Sequence, residues 1–446
     1  ISEPRIPQQP KGVCSMQVGK YGRTLGIVLA GGKGERLMPL TKYRAKPAVH
    51  FAAKYRIVDF ALSNLVNSGI FSIYVLVQFK SQSLHEHIER GWQFGGALRG
   101  RDFFITLVPA QMGRGEHWFQ GTADAVYQNL HLVTLYDADR VAIFAADHIY
   151  KMDVDQMLAY HINRGADITV AANVVPISEA RSFGCIAVDE TGRIVDFVEK
   201  PAVPPEIPGR PGFSYASMGN YIFEREVLEE AILEDNRIEG SSHDFGRDIL
   251  PRVFKRCRMM AYDFPSNVLP GDDRPYWKDV GTIKAYFDAH MDLLQHPSDL
   301  TLYNPHWPIR TVSFADPPGF TYPDKGQSCS VVGTLRAEGS RVLGSIVHRS
   351  VLSRNCIIHA GAVLEECIVG QGVVVGENCK LRRVILDAYN VVPPNTVIGY
   401  NRDIDAERYH LDGDSGIVVL SMPKIQLRKN LRLPLEDQIT TAIEGF

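Results

Sequence analysis

The chain has 446 residues, 45% of them apolar and 22% charged, with 48 basic against 51 acidic side chains. At about 150 residues per domain that length predicts two to three domains, and the apolar share can fill their cores. With 38 Gly and 26 Pro the chain is neither disordered nor collagen-like, and a net charge of −3 is too near balance to hold nucleic acid or an anionic membrane by bulk attraction.

No stretch approaches the length of a membrane span, and residues 1–23, read as an N-terminal extension, lack the apolar core of a secretory signal. The expectation is a soluble, cytoplasmic protein with no membrane partner. Seven cysteines, an odd number without any CxxC pair, argue against a disulfide framework or a zinc site and for small buried hydrophobes.

From Thr24 onward, apolar β-branched runs alternate with amphipathic stretches: TLGIVLA, KYRIVDFALSNLVNSG, IFSIYVLV, SLHEHIERGW, then GTADAVYQNLHLVTLY and RVAIFAAD. This alternation predicts a mainly parallel sheet with helices on both faces. CIAVDETGRIVDFV at 185–198 predicts a hairpin turning at Asp189–Gly192, so antiparallel strands join the sheet there. A helix-like stretch ends near Leu294 and closes an α/β domain at 24–296. Six prolines between positions 297 and 323 mark a linker, placed at 297–325. Beyond it Val351, Ile357, Val363, Val369, Val375 and Leu381 recur at every sixth position, and Val391 to Val397 resumes the spacing. A period of six predicts a parallel β-helix at 326–426, with one aliphatic residue per side pointing inward. Residues 427–446 read as a tail.

The strand TLGIVLA runs into Gly31-Gly32-Lys33-Gly34-Glu35-Arg36. Glycines there let backbone N–H groups close around an anion, helped by the N-terminus of a following helix. The loop lacks GxxxxGK[ST], and Leu37 breaks GxGxxG, which excludes a P-loop kinase and a Rossmann dehydrogenase. Lys33, Arg36, Arg44 and Lys46 follow closely, a concentration of cations suited to clamping a polyphosphate.

The stretch AGGKGERLMPLTKYRAKPAVHFAAKYRIVDFALSN resembles the opening of the nucleotide-sugar pyrophosphorylases, and among them is similar to the bacterial ADP-glucose pyrophosphorylases. GTADA, ADHIY, FGCIAVDE, VEKP, ASMGNY, SSHDFGRDILP and PYWKDVGT follow in family order, so the likeness covers roughly residues 24–425. It implies a GT-A-like, Rossmann-like α/β domain followed by a left-handed parallel β-helix. The implied reaction joins ATP and glucose 1-phosphate into ADP-glucose and pyrophosphate, as an allosteric homotetramer.

A phosphate monoester is already ionised near neutral pH, so this chemistry needs no activated nucleophile. It needs cations, glycine backbone and carboxylates for Mg2+. The resemblance implies Asp147 and Asp279 as metal ligands, and Arg36 and Lys46 as partners of the ATP phosphates. Gly31, Gly32, Gln111, Gly121 and Thr122 would contact the nucleotide. Phe119, Gly184, Glu199, Lys200, Ser217, Asp244 and Trp277 would hold glucose 1-phosphate, with Lys200 on its phosphate, Glu199 on its hydroxyls and Trp277 as an apolar wall. Arg44, His50, Arg56 and Arg382 match positions of a regulatory pocket between the domains, for a glycolytic sugar-phosphate or keto-acid activator and AMP or phosphate as inhibitor.

Glu35, Ala146 and Tyr43 depart from the family pattern, the last where relatives carry an activator-contacting Lys. The rival readings are a pyrophosphorylase making GDP-mannose or UDP-glucose, an acyltransferase using His348 or His359 of the hexapeptide region, and a non-catalytic regulatory subunit. The charge set Arg36, Lys46, Asp147, Lys200 and Asp279 speaks against the last.

Overall fold

The computed structural model describes residues 21–93, 102–111 and 117–423; the expected tail at 427–446 and most of the N-terminal extension lie outside them. Nine strands make one sheet. Along its main path run Ile194–Glu199, Gly184–Val188, Phe213–Glu224, Arg140–Ala145, Thr24–Leu29, Ser72–Val77 and Phe104–Pro109. Ile168–Pro176 pairs with Phe213–Glu224 and with Met259–Asp263. Thr24–Leu29 lies parallel between Ser72–Val77 and Arg140–Ala145, and Leu25, Val28, Ile73, Val141 and Phe144 are buried because helices cover both faces. The hairpin forms as expected: Gly184–Val188 pairs antiparallel with Ile194–Glu199, and Asp189 Oδ1 accepts from the Thr191 and Arg193 amides across the turn.

The chain leaves Thr24–Leu29 for Ser72–Val77 and Phe104–Pro109 on one side, then returns to Arg140–Ala145 on the other. The strand order therefore reverses between Thr24–Leu29 and Arg140–Ala145. In open α/β sheets such a reversal leaves a crevice at the C-terminal strand ends.

Residues 297–319 hold no helix or strand. They are strapped to the helix Ile57–Asn67: Asn67 Nδ2 donates to Pro308 O at 3.0 Å, Arg310 N to Ser63 Oγ at 2.8 Å and Thr311 Oγ1 to Asp59 Oδ2 at 2.7 Å. Leu300, Trp307, Ile309 and Val312 are buried beneath this strap.

The C-terminal part is a left-handed parallel β-helix with three sheets of two- or three-residue strands. Its inward register differs from the uniform six-residue spacing read in the sequence. Val351 pairs with Ile368, Ile357 with Val374 and Val363 with Lys380, so these coils take seventeen residues rather than eighteen, while Ser330 with Ile346, Leu335 with Val351 and Arg341 with Ile357 mark a preceding coil of sixteen. The inward side chains are Leu352, Ile358 and Leu364, then Val369, Val375 and Leu381. Val351, Ile357 and Val363 belong to the outer face, where Val351 is buried against Ala53 of the first domain and Val363 is half-buried. Shortened corners shift the phase, and a strict period of six cannot follow it. Cys356, Cys367 and Cys379 are buried in this core, and together with Cys185, Cys257 and Cys329 they are free thiols.

The two domains share packing. Phe51, Ile57, Phe60 and Tyr286 form one apolar cluster with Ile368, Ile385, Ile417 and Val419, and Lys54 Nζ bonds Glu338 Oε1 at 2.9 Å.

Candidate active site

A cleft of about 880 Å³ opens at the strand reversal. The loop after Thr24–Leu29 and the residues after Arg140–Ala145 form its two lips, as the parallel topology requires. Gly31, Gly32, Arg36, Lys46, Phe119, Gly121, Thr122, Asp147, Gly184, Glu199, Lys200, Ser217, Asp244 and Asp279 all border it.

The glycine loop differs in one respect from the sequence reading. It leads into a single 3-10 turn, Glu35–Leu37, and not into a helix whose N-terminus could face an anion. Positive charge must come from side chains, and the Lys33, Arg36 and Lys46 side chains border the loop. Glu35 is exposed and sits 3.9 Å from Lys33, so its charge is partnered on the solvent side. A Cβ on Gly32 would meet no protein atom within 4 Å, so packing does not demand glycine there and the space stays open to a ligand.

The acid pair is assembled by a two-stranded ribbon in which Trp277–Asp279 runs antiparallel to His148–Tyr150, with Asp279 opposite His148. Lys46 Nζ lies 3.0 Å from Asp147 Oδ2 and 3.0 Å from Asp279 Oδ1, and Arg36 Nη2 lies 4.0 Å from Asp279 Oδ2. Burial pushes the Asp147 carboxyl upward, but His148 and Lys46 outweigh it and hold the group well below the usual carboxylate range. Burial likewise works against the Lys46 ammonium, and Asp147 and Asp279 reverse that into a raised pKa. Donor atoms of Asp147, His148 and Asp279 all lie within 4.8 Å of one another. Two hard carboxylates at the edge of an open cleft fit a divalent cation such as Mg2+, with waters and phosphate oxygens completing the shell.

The opposite wall carries Glu199 and Lys200, 3.3 Å apart at the end of Ile194–Glu199. Gly184 makes room for this carboxylate, since a Cβ there would sit 2.8 Å from Glu199 Oε2. Ser217 precedes a register shift in the pairing of Phe213–Glu224 with Ile168–Pro176. That bulge, with Gly219 at φ +70°, turns the strand at the cleft wall. Asp244 caps the following turn by accepting from the Gly246 and Arg247 amides, and its Oδ2 accepts from Thr122 Oγ1 at 3.0 Å. Gly121 is set by packing, because a Cβ would come within 2.2 Å of His243 O.

Three expected residues stand elsewhere. Gln111 is exposed and does not border the cleft, and Trp277 lies behind it, its ring 5.2 Å from His148 and 5.5 Å from Phe183, which do. Trp277 therefore backs the wall rather than forming it. Arg44, read as one of the polyphosphate cations, is buried at the domain seam and paired with Asp387. The sequence reading missed His148, Gln78, Phe183 and Tyr221. Gln78 clamps Phe119 through both backbone groups, donating to its oxygen at 3.2 Å and accepting from its nitrogen at 2.5 Å. Adjacency to Asp147 was the available signal for His148; Gln78 had none beyond its place after an apolar strand.

At the seam, Arg44, His50 and Arg56 gather with Arg354. Burial and these three arginines, with His87, push the His50 pKa far down. Burial and the neighbouring Arg44 bring Arg56 down to about 10. Arg382 stands apart, on another sheet of the β-helix, exposed and 3.7 Å from Glu365.

Residues 25–296 match the nucleotidyl transferase family model, and residues 316–420 match the GlmU-like C-terminal hexapeptide model. The chain is 48% identical over 406 residues to the glucose-1-phosphate adenylyltransferase of Deinococcus radiodurans, covering 89% of this chain and 98% of that protein. It is 48% identical over 398 residues to glucose-1-phosphate adenylyltransferase 1 of Vibrio parahaemolyticus, covering 89% and 97%. With the glucose-1-phosphate adenylyltransferase of Photobacterium profundum it shares 44% over 400 residues, 90% and 98% of the two chains. Identity of this depth along nearly the whole length means that the chain is a nucleotidyltransferase and belongs to the glucose-1-phosphate adenylyltransferase family.

Proposed function

We propose that this enzyme transfers the adenylyl group of ATP to α-D-glucose 1-phosphate, giving ADP-glucose and pyrophosphate. The observation that carries the reading is that Arg36, Lys46, Asp147 and Asp279 line the same cleft as Glu199 and Lys200. One end of the cleft is built for a polyphosphate, the other for a phosphorylated sugar.

The attacking oxygen belongs to a phosphate already ionised near neutral pH, so the protein's task is to hold two anions together against their repulsion. Lys200 is the cation for the sugar phosphate, and Glu199 accepts from sugar hydroxyls. Arg36 and Lys46 neutralise the departing pyrophosphate. Gly31 and Gly32 leave the space in which phosphates approach the backbone. Mg2+, held by Asp147 and Asp279, supplies charge neutralisation at the phosphates when bound.

Pyrophosphate release from ATP plus glucose 1-phosphate, with and without Mg2+, tests this. Full activity of Asp147→Asn would remove the metal assignment, and faster turnover with GTP or UTP would move the enzyme to another nucleotide-sugar class. Regulation by an anionic metabolite, a sugar phosphate or keto acid as activator and AMP or phosphate as inhibitor, belongs to the same proposal. The seam supports it through His50 and Arg56, which stand beside Arg44 and Arg354, each of these two already holding an aspartate, and a metabolite screen that leaves the rate unchanged removes it. A homotetramer, implied by family likeness, is checked by sedimentation of the full chain.

A further inference from the structure

Lys46 is buried, with only 5% of its surface exposed, yet its ammonium faces two carboxylates at equal distance, 3.0 Å from Asp147 Oδ2 and 3.0 Å from Asp279 Oδ1. The same two carboxylates, with His148, make up the group able to hold a divalent ion. Each carboxylate keeps further lone pairs, but an ammonium seated between the two repels a divalent ion brought to the same pair, since both are cations at close range.

We infer that Lys46 is a tethered stand-in cation: in the free enzyme it fills the seat between Asp147 and Asp279, and it must swing out before a divalent ion can enter. This rests on the reading of that acid pair as metal ligands. Lysine suits the task, being a compact charge on a flexible four-carbon stem. The base of the stem is fixed against the glycine loop, since a Cβ on Gly34 would approach Lys46 Cβ to 2.9 Å. Rotation along that stem would carry the head group from the acids toward the loop. An incoming triphosphate offers Lys46 another anion and frees the carboxylates. Metal and nucleotide then assist each other's entry through one side chain, reciprocally, as linkage requires. The metal arrives with the nucleotide and not ahead of it.

The test is titration of Mn2+ alone into the nucleotide-free full chain, reading free Mn2+ by electron paramagnetic resonance. Wild type should bind weakly. Lys46→Met and Lys46→Gln should each bind roughly tenfold more tightly or better, because the acid pair loses the cation lying between its carboxylates. Adding Asp279→Asn to Lys46→Met should abolish the gain. Unchanged or weaker Mn2+ binding in both folded Lys46 variants would overturn the inference. Tight Mn2+ binding by nucleotide-free wild type would do so as well, with no variant's folding involved. If no Mn2+ is retained with the protein on equilibrium dialysis even with ATP present, beyond what ATP alone holds, the metal reading falls together with this one; if it is retained with ATP but the Lys46 variants gain nothing, this inference alone falls.

Discussion

Arg44 and Asp387 form a buried, two-pronged ion pair across the domain seam, Nη1 to Oδ1 at 2.9 Å and Nη2 to Oδ2 at 3.2 Å. The planar guanidinium matches the carboxylate, and both side chains are almost wholly withdrawn from water. A cation that the sequence places beside the phosphate loop is thus spent on holding the catalytic domain to the β-helix.

Removing one partner leaves the other charged and uncompensated in a dry place. Asp387→Ala should cost about 3 kcal/mol, read from denaturant unfolding, whereas Arg44→Leu with Asp387→Leu should recover most of it. A single-variant loss no larger than that of an exposed surface pair would refute this.

Asp147→Asn and Asp279→Asn should each lower kcat by about 100-fold or more while the fold persists, since both side chains are partly exposed at the cleft edge. Steady-state pyrophosphate release gives the rate and circular dichroism the fold. Near-normal turnover in either variant would contradict the assigned role.

Two glycines of the cleft should respond oppositely. Gly32→Ala places its methyl where no protein atom stands within 4 Å, so stability should hold and KM for ATP should rise. Gly121→Ala drives a methyl to 2.2 Å from His243 O, so thermal stability should fall and activity with it. Equal melting temperatures for the two variants would defeat the distinction.

His290 is buried between Phe51 and Tyr286, its Nε2 accepting from Ala52 N at 3.2 Å and its Nδ1 donating to Tyr286 O at 2.9 Å. Burial lowers its pKa from 6.5 to about 4. Between those values the unfolded chain binds the proton and the folded one does not, so stability falls as pH drops through that window. The loss approaches about 3 kcal/mol at the acid end. His290→Gln should show a shallower decline in denaturation midpoint between pH 6.5 and pH 4; an identical decline would sink the attribution.

The β-helix register gives the last prediction. Leu364→Ala opens a cavity inside the prism and should cost about 2 to 5 kcal/mol. Val363→Ala, half-buried on the outer face, should cost under about 1 kcal/mol. Comparable losses at both positions would restore the uniform six-residue register.

The alternation of apolar runs and amphipathic stretches was sufficient for the parallel strands Thr24–Leu29, Ser72–Val77 and Arg140–Ala145 and the helices between them, because burial on both faces forces the middle of such strands to be apolar. Short-range chemistry was legible too: the Asp189–Gly192 turn and the glycine loop carry their geometry in their residue types. The strands Phe104–Pro109 and Met259–Asp263 went unread, being short apolar runs without periodicity, and so did the long antiparallel strand Phe213–Glu224. The β-helix was visible as a repeat, while its phase was not, since each shortened corner moves the inward position by a residue.

Chain order alone determined which residue types were available to the site: cations near the first strand, an acid after Arg140–Ala145 and another in the ribbon strand Trp277–Asp279. Only the tertiary structure decided which of them meet. It set Lys46 between Asp147 and Asp279, sent Arg44 to the seam, left Arg382 on another face and put Trp277 behind His148. The physical reason is that a side chain's charge is local information, but its partner is fixed by strand register and by the turn of each loop, which depend on the packing of the whole domain.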